Sequence, residues 1–228
     1  MALPAPIYQR LGWPWISFWD AGLTVKLLWN FGLFLAFGFF HSALAQRGPQ
    51  DFFKKILPAQ CVRAFYVCFT GATCLAVIGS WQNTGEIVWV IPGLSAAVLS
   101  VISALIFYPL LLTAFKVMHH FDGLEFLGFR QLYSSPDQID RMVAGGELLE
   151  TGIYGRVRHP IYFFTMLAFT VTPMMSLDRL EFIVACAVYL AIGIPVEERK
   201  LEKIFGDAYQ SYRTRVPALV PRLSHLFS

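Results

Sequence analysis

Two stretches of this chain hold most of the residues able to do chemistry. The first is Gly152-Ile153-Tyr154-Gly155-Arg156-Val157-Arg158-His159-Pro160-Ile161-Tyr162, and the second is Glu197-Glu198. Proline is favoured at the first position of a helix, and the residue before it is pushed to an extended backbone. Pro160 is therefore expected to open a helix, with His159 held off it at the mouth. Backbone N–H groups at such a mouth attract anions, and Arg158 adds a fixed positive charge beside them. A carboxylate or the polar edge of a ligand suits that place. An equally simple reading makes Arg156 and Arg158 membrane-surface anchors and His159 a plain cap. Glu197 and Glu198 stand where an apolar helix ends, against both the helix dipole and the basic charge usual there. They need compensation, and Arg158 and His159 supply it if the two helices are neighbours.

A third set comprises His41, His119, His120 and Asp122. Ionisable groups at the ends of membrane helices are functional candidates, although a single histidine there is more often a satisfied interfacial residue. His119-His120 with Asp122 mimics a metal set, but adjacent histidines point apart on a helix, so no metal site is expected. Cys61, Cys68, Cys74 and Cys186 lie in or beside apolar runs with no metal-ligand or disulfide spacing.

The elements that must position these groups follow from composition. Of 228 residues, 56% are hydrophobic and 14% charged, where soluble domains carry about 25% charged residues. Mean hydropathy is +0.55. A net charge of +3, dispersed along the chain, excludes a nucleic-acid footprint. Apolar runs long enough to cross a bilayer are expected at about Leu23–Ala45, Val62–Trp81, Ile87–Phe115, Ile161–Leu177 and Leu180–Val196. The last two, separated by Asp178 and Arg179, predict a tight antiparallel hairpin. Beyond it Leu201, Ile204, Phe205, Tyr209 and Tyr212 recur at helical spacing and predict an amphipathic helix, with Gly206 interrupting it. The fold class is all-α: a polytopic membrane bundle of about five transmembrane helices in a single domain, 1–228.

Orientation comes from the loops. Arg47, Lys54, Lys55 and Arg63 follow the first span, and Lys116, Arg130, Arg141, Arg156 and Arg158 follow the third. Between spans two and three there is no Lys or Arg, and Arg179 stands alone in the hairpin turn. Basic loops alternating with non-basic ones put the N-terminus outside and the C-terminus in the cytoplasm. Ala43-Leu44-Ala45 looks like a signal-cleavage site, but the apolar run before it is too long and its basic cluster follows it, so the first span is expected to be retained.

Taken together, Gly152-x-Tyr154-x-x-Val157-Arg158-His159-Pro160-x-Tyr162, then Glu197-Glu198-x-x-Leu201-x-x-x-Phe205-Gly206-x-x-Tyr209-x-x-Tyr212, and Val216-Pro217 with Pro221, resemble the isoprenylcysteine carboxyl methyltransferase superfamily of membrane methyltransferases. His41-Ser42, His120-Phe121-Asp122 with Leu127-Gly128-Phe129-Arg130-Gln131, and Thr172-Pro173-Met174 before Asp178-Arg179-Leu180 look like its bacterial methanethiol S-methyltransferase and NnrU-like branch. Carboxyl methyltransferases resemble one another in an arginine shortly before the acidic pair, where this chain reads Gly193-Ile194-Pro195-Val196. Gly123-Leu124-Glu125-Phe126 lengthens the loop relative to the thiol branch.

The resemblance implies S-adenosylmethionine as methyl donor, held by the hairpin mouth and the C-terminal helix, over residues 150 to 222. Arg158 and His159, at the helix opened by Pro160, would meet its carboxylate end. Tyr154 and Tyr162 would shape its pocket, and Glu197 and Glu198 would meet its donors and sulfonium. A small thiol, methanethiol giving dimethyl sulfide, is the implied acceptor. His41 and His120 are candidate bases, with Asp122 as orienter, because the thiolate is the nucleophile. A multi-pass protein of a bacterial inner membrane, in contact with lipid and not with nucleic acid, is expected. The alternatives are a prenylated or lipid-borne acceptor, and a non-catalytic NnrU-like or nurim-like protein.

Overall fold

A computed structural model describes residues 21–117, 123–135, 138 and 148–222. Helix α1 runs Leu23–Leu44, α2 Arg47–Phe53 and α3 Ala59–Ser80. Strand β1, Ile87–Val90, leads to α4, Ala96–Val117, and two single turns, α5 Gly123–Phe126 and α6 Phe129–Leu132. A 3-10 turn at Gly152–Gly155 precedes α7, Pro160–Thr170, β2, Met174–Ser176, α8, Leu177–Phe205, and α9, Asp207–Arg215.

Among the described residues four helices, α1, α3, α4 and α8, are long and apolar enough to cross a membrane. At 22 residues each, the first three reach roughly 33 Å, matching a hydrocarbon core of about 30 Å. The protein is an all-α polytopic membrane protein. The expected fourth span is shorter than the sequence suggested. Helix α7 has 11 residues, about 17 Å of rise, and ends shortly before Pro173, whose ring and missing N–H disfavour its continuation. The hairpin turn therefore lies at residues 171–176, and Asp178 and Arg179 sit in the first turn of α8.

The third apolar run also divides. Its first residues, Ile87–Val90, pair antiparallel with Met174–Ser176, and the helix starts only at Ala96, beyond Pro92 and Gly93. This two-stranded ribbon closes one end of the bundle, its backbone bonds extended by Leu177 N–H to Glu86 O and Ile91 N–H to Pro173 O, both 3.0 Å. Arg179 caps the departing end of α7 there, donating to Phe169 O, Ala168 O and Thr172 Oγ1. Asn30, fully buried in α1, satisfies both backbone groups of Gln82 through its amide, at 2.9 and 2.7 Å.

Helix α8 packs on α1 through Phe34, Ala185, Phe182 and Tyr189, with Trp81 closing the cluster. Gly38 permits this approach, since a Cβ there would lie 3.1 Å from the Tyr189 ring. Helix α7 packs chiefly on α4 and also on α8. The last helix differs from expectation too. Helix α8 continues through Pro195 to Phe205 and carries Glu197 and Glu198 within it; the amphipathic stripe divides at Gly206, whose φ of +57° ends α8 and starts α9.

Gly128 fixes the loop after α4 against α3. Its φ is +86°, and a Cβ would stand 2.7 Å from Ala64 N. Gly128→Ala is expected to lower stability by about 1–3 kcal/mol, read as a lower melting temperature of the detergent-solubilised protein.

Candidate active site

Pro160 occupies the first position of α7, and His159 before it has a non-helical backbone, φ −121° and ψ 64°, as the proline demands. Two amides just before the helix are engaged by the C-terminal segment. Arg158 N–H donates to Pro217 O and His159 N–H to Ala218 O, each at 3.0 Å. The segment after α9 thus lies along residues 158–159 and closes the hairpin from below.

Glu198, on α8, collects the charges expected to compensate it. Its Oε1 lies 2.6 Å from Arg158 Nη2 and 3.3 Å from His159 Nε2, and its Oε2 lies 3.3 Å from Arg213 Nε. Arg158 Nε also donates to Oε1 at 2.8 Å, and its Nη1 donates to the carbonyls of Arg213 and Val216. Side chains 158 and 198 are 9% and 5% exposed, so this pair is fixed and largely dry. Pairing of this kind is what a buried carboxylate requires.

Glu197 differs from its neighbour. Its side chain is 44% exposed; its Oε2 accepts the Tyr162 hydroxyl at 3.0 Å and lies 3.7 Å from His159 Nδ1. The His159 ring stacks on Tyr162, centroids 5.4 Å apart. The outcome is a carboxylate with open valence, resting on a closed lattice of opposite charges.

Helix α9 supplies the wall. Tyr209, Tyr212 and Val216 pack with Leu148, Leu201 and Phe205. Tyr212 Oη donates to Tyr154 O at 2.7 Å, tying α9 to the 3-10 turn. Tyr209 is 1% exposed, and its hydroxyl lies among Arg158, Glu198 and Glu197, with the Arg158 side chain as its hydrogen-bonding neighbour. Burial first, and nearby carboxylates second, push the phenols of Tyr154 and Tyr209 up to about 12. A raised phenol pKa contributes stability that is full below the unfolded value near 10 and is lost as pH rises through the folded value. Alkaline titration followed by near-ultraviolet difference spectroscopy should therefore show a late component near pH 12, reduced in Tyr154→Phe and Tyr209→Phe, with unfolding setting in over that window.

Seven sequence-selected residues, Tyr154, Arg158, His159, Pro160, Tyr162, Glu197 and Glu198, thus come together. His41 makes its contacts elsewhere, on α1, where its Nδ1 lies 3.1 Å from Tyr66 Oη. His120 and Asp122 lie outside the described residues. Val216-Pro217 belonged to the sequence motif, but the role of the carbonyls at residues 216–218 and of Arg213 was not legible, since a backbone carbonyl has no residue-type signature and Arg213 reads as one more basic tail residue.

A phospholipid methyltransferase family model matches residues 96–208. The methanethiol S-methyltransferase 2 of Bradyrhizobium diazoefficiens is 32% identical over 201 residues, covering 88% of this chain and 75% of that protein. The chain belongs to the membrane methyltransferase family of the methanethiol S-methyltransferases. The methanethiol S-methyltransferase of Crocosphaera subtropica is 27% identical over 87% of this chain and 76% of its own length. Bovine nurim is 25% identical over 84% of the chain and 74% of its own length. No solved structure matches. In this membrane methyltransferase the family match spans α4 to the start of α9, so it includes the hairpin and both acids.

Proposed function

We propose that the protein transfers a methyl group from S-adenosylmethionine to a small thiol, methanethiol, forming dimethyl sulfide. The observation that carries this reading is the half-exposed Glu197 over the buried Arg158–Glu198–His159 lattice. These groups fit the donor: a partly exposed carboxylate with acceptor capacity left over suits a cation bearing amino and hydroxyl donors. When bound, S-adenosylmethionine supplies a sulfonium-borne methyl whose electron pair stays with the donor sulfur.

The protein's own residues do the rest. Glu197 holds the positive end and fixes Tyr162 as a wall. Arg158, engaged by Glu198 and two carbonyls, acts as a positioning residue that sets the height of α8 against the C-terminal segment. Tyr154, Tyr209 and Tyr212 keep the pocket dry, and exclusion of water favours a transfer in which charge disappears. Alignment of the two partners supplies the remaining acceleration. His41 takes the thiol proton, His120 being the other candidate with Asp122 as its orienter. The cofactor-binding part spans residues 150–222, in a bacterial inner membrane with the C-terminus cytoplasmic.

An assay in cells expressing the protein, fed methanethiol and methyl-labelled methionine, tests the reading by headspace analysis. Labelled dimethyl sulfide above the vector control supports it; none contradicts it. One observation favours a second reading. An open apolar groove of about 170 Å³ runs beside the hairpin, lined by Phe163, Met166, Leu167, Thr170, Leu219 and Val220, and suits an acceptor carried on a lipid chain. Label recovered in extracted lipid, with none in the headspace, selects that reading.

A further inference from the structure

The loop after α4 reverses the polarity expected of a surface in water. Polar Gln131 is buried, its amide donating to Glu125 O at 3.1 Å, whereas Leu124, Phe126, Leu127 and Phe129 are exposed. The segment that lengthens this loop, Gly123-Leu124-Glu125-Phe126, supplies two of those four. Helix α6 rests on α3, and Gly128 brings the loop backbone against Ala64. A contiguous apolar face turned outward marks a surface made for hydrocarbon. Helix α2 does likewise just before α3. Its Phe53 packs on the Phe65 ring at 4.8 Å, while Phe52 and Ile56 are exposed beside Lys54 and Lys55.

Beneath Phe126 lies Arg63 of α3. Its guanidinium stands over the Tyr66 ring at 5.4 Å and the Phe126 ring at 5.3 Å, and Nε donates to Phe126 O at 3.0 Å. Two rings and one carbonyl thus fix its plane. Three arginines are part-buried among the described residues: Arg63, Arg158 and Arg179. Arg158 engages its outer nitrogens with Glu198 and carbonyls, and Arg179 with Thr172 and Ala168 O. Arg63 differs. Among the described residues its Nη1 and Nη2 make no hydrogen bond and no carboxylate pairs with it, Glu125 acting on it from farther away. A cation held in an apolar helix calls for an anion, and a fixed planar fork suits a phosphate better than a point charge does.

We propose that Arg63 and the α5–α6 loop hold an anionic phospholipid from the leaflet at this end of the bundle. The lipid phosphate meets the Nη edge of Arg63, and an acyl chain lies on Leu124, Phe126, Leu127 and Phe129. Lys54 and Lys55 add positive potential on the same side of the membrane, which favours a net-negative headgroup over a zwitterionic one. The apolar face beside the guanidinium selects a lipid over free phosphate. No residue of the hairpin mouth takes part, so this site stands or falls apart from methyl transfer.

The test uses full-length protein in neutral detergent, followed by native mass spectrometry with phosphatidylglycerol and phosphatidylcholine of identical chains. One phosphatidylglycerol per chain is expected to remain under conditions that strip phosphatidylcholine, and excess inorganic phosphate should not displace it. Arg63→Gln is expected to weaken its retention about 5- to 10-fold, the worth of one basic contact at a lipid surface. Arg156→Gln removes an exposed charge elsewhere and should leave retention unchanged. Arg63→Lys keeps the charge without the fork, and should fall between wild type and Arg63→Gln even if the latter folds poorly. Equal retention of the two lipids by the wild type, or equal loss in Arg63→Gln and Arg156→Gln, overturns the site. Displacement by inorganic phosphate overturns the lipid as its occupant.

Discussion

Replacing Glu198 by alanine is expected to lower stability by about 3–5 kcal/mol, the penalty for leaving a buried partner charge uncompensated. Arg158 is the charge in question. Its guanidinium is 9% exposed, and Glu198 is its carboxylate partner, at 2.6 Å. The same substitution releases His159 and Arg213, and with them the register between the α7 mouth and residues 216–218. The expected result is a marked fall in melting temperature together with loss of donor binding. Glu198→Gln keeps the shape and one acceptor, and should fall between wild type and alanine. A melting temperature for Glu198→Ala equal to that of the wild type would mean that the lattice does not hold this end of the bundle together.

The adjacent residue should behave in the opposite way. Glu197→Gln is expected to leave the melting temperature nearly unchanged, because the side chain is 44% exposed and an amide oxygen still accepts the Tyr162 hydroxyl. Donor affinity should nevertheless fall about 10- to 100-fold, the range for a charge-assisted hydrogen bond replaced by a neutral one. Calorimetry against S-adenosylmethionine, with the melting temperature measured on the same sample, separates the two roles. Two neighbouring acids of the same type thereby divide the work, one holding the fold and the other holding the ligand.

That division was not legible in the sequence, although the pairing was. Pro160 announced the helix start, His159 its non-helical neighbour, and the uncompensated acids their need for Arg158 and His159. Each of these follows from backbone sterics or charge and needs no knowledge of the fold. Which acid is buried depends on the side of α8 that faces the C-terminal segment, and that face is set by packing of Tyr209, Tyr212 and Val216. The bonds from the Arg158 and His159 amides to the carbonyls of residues 217 and 218 were hidden for a related reason, since a backbone carbonyl has no residue-type signature.

The spans show a similar pattern. The long runs at α1, α3 and α4 were readable from hydropathy, because lipid dictates it. Ile87–Val90 is as apolar as any helix, and only the β-branched residues and Pro92 distinguish a strand there. Pro173 shortened α7 where hydropathy continued through Met174 and Met175, and the turn moved with it. Tyr66, which meets His41, and Tyr189, which meets Ser42, carry no spacing signal at all, since hydroxyl residues are ordinary in membrane helices. Their meaning arises only when α1, α3 and α8 are brought together.

The most direct measurement is calorimetric titration of the detergent-solubilised, full-length protein with S-adenosylmethionine, beside Glu197→Gln. One saturable site per chain, weakened in the variant without loss of its fold, is the predicted result. Absence of binding to the folded wild-type protein, or equal affinity in the variant, would contradict the role given to the hairpin mouth.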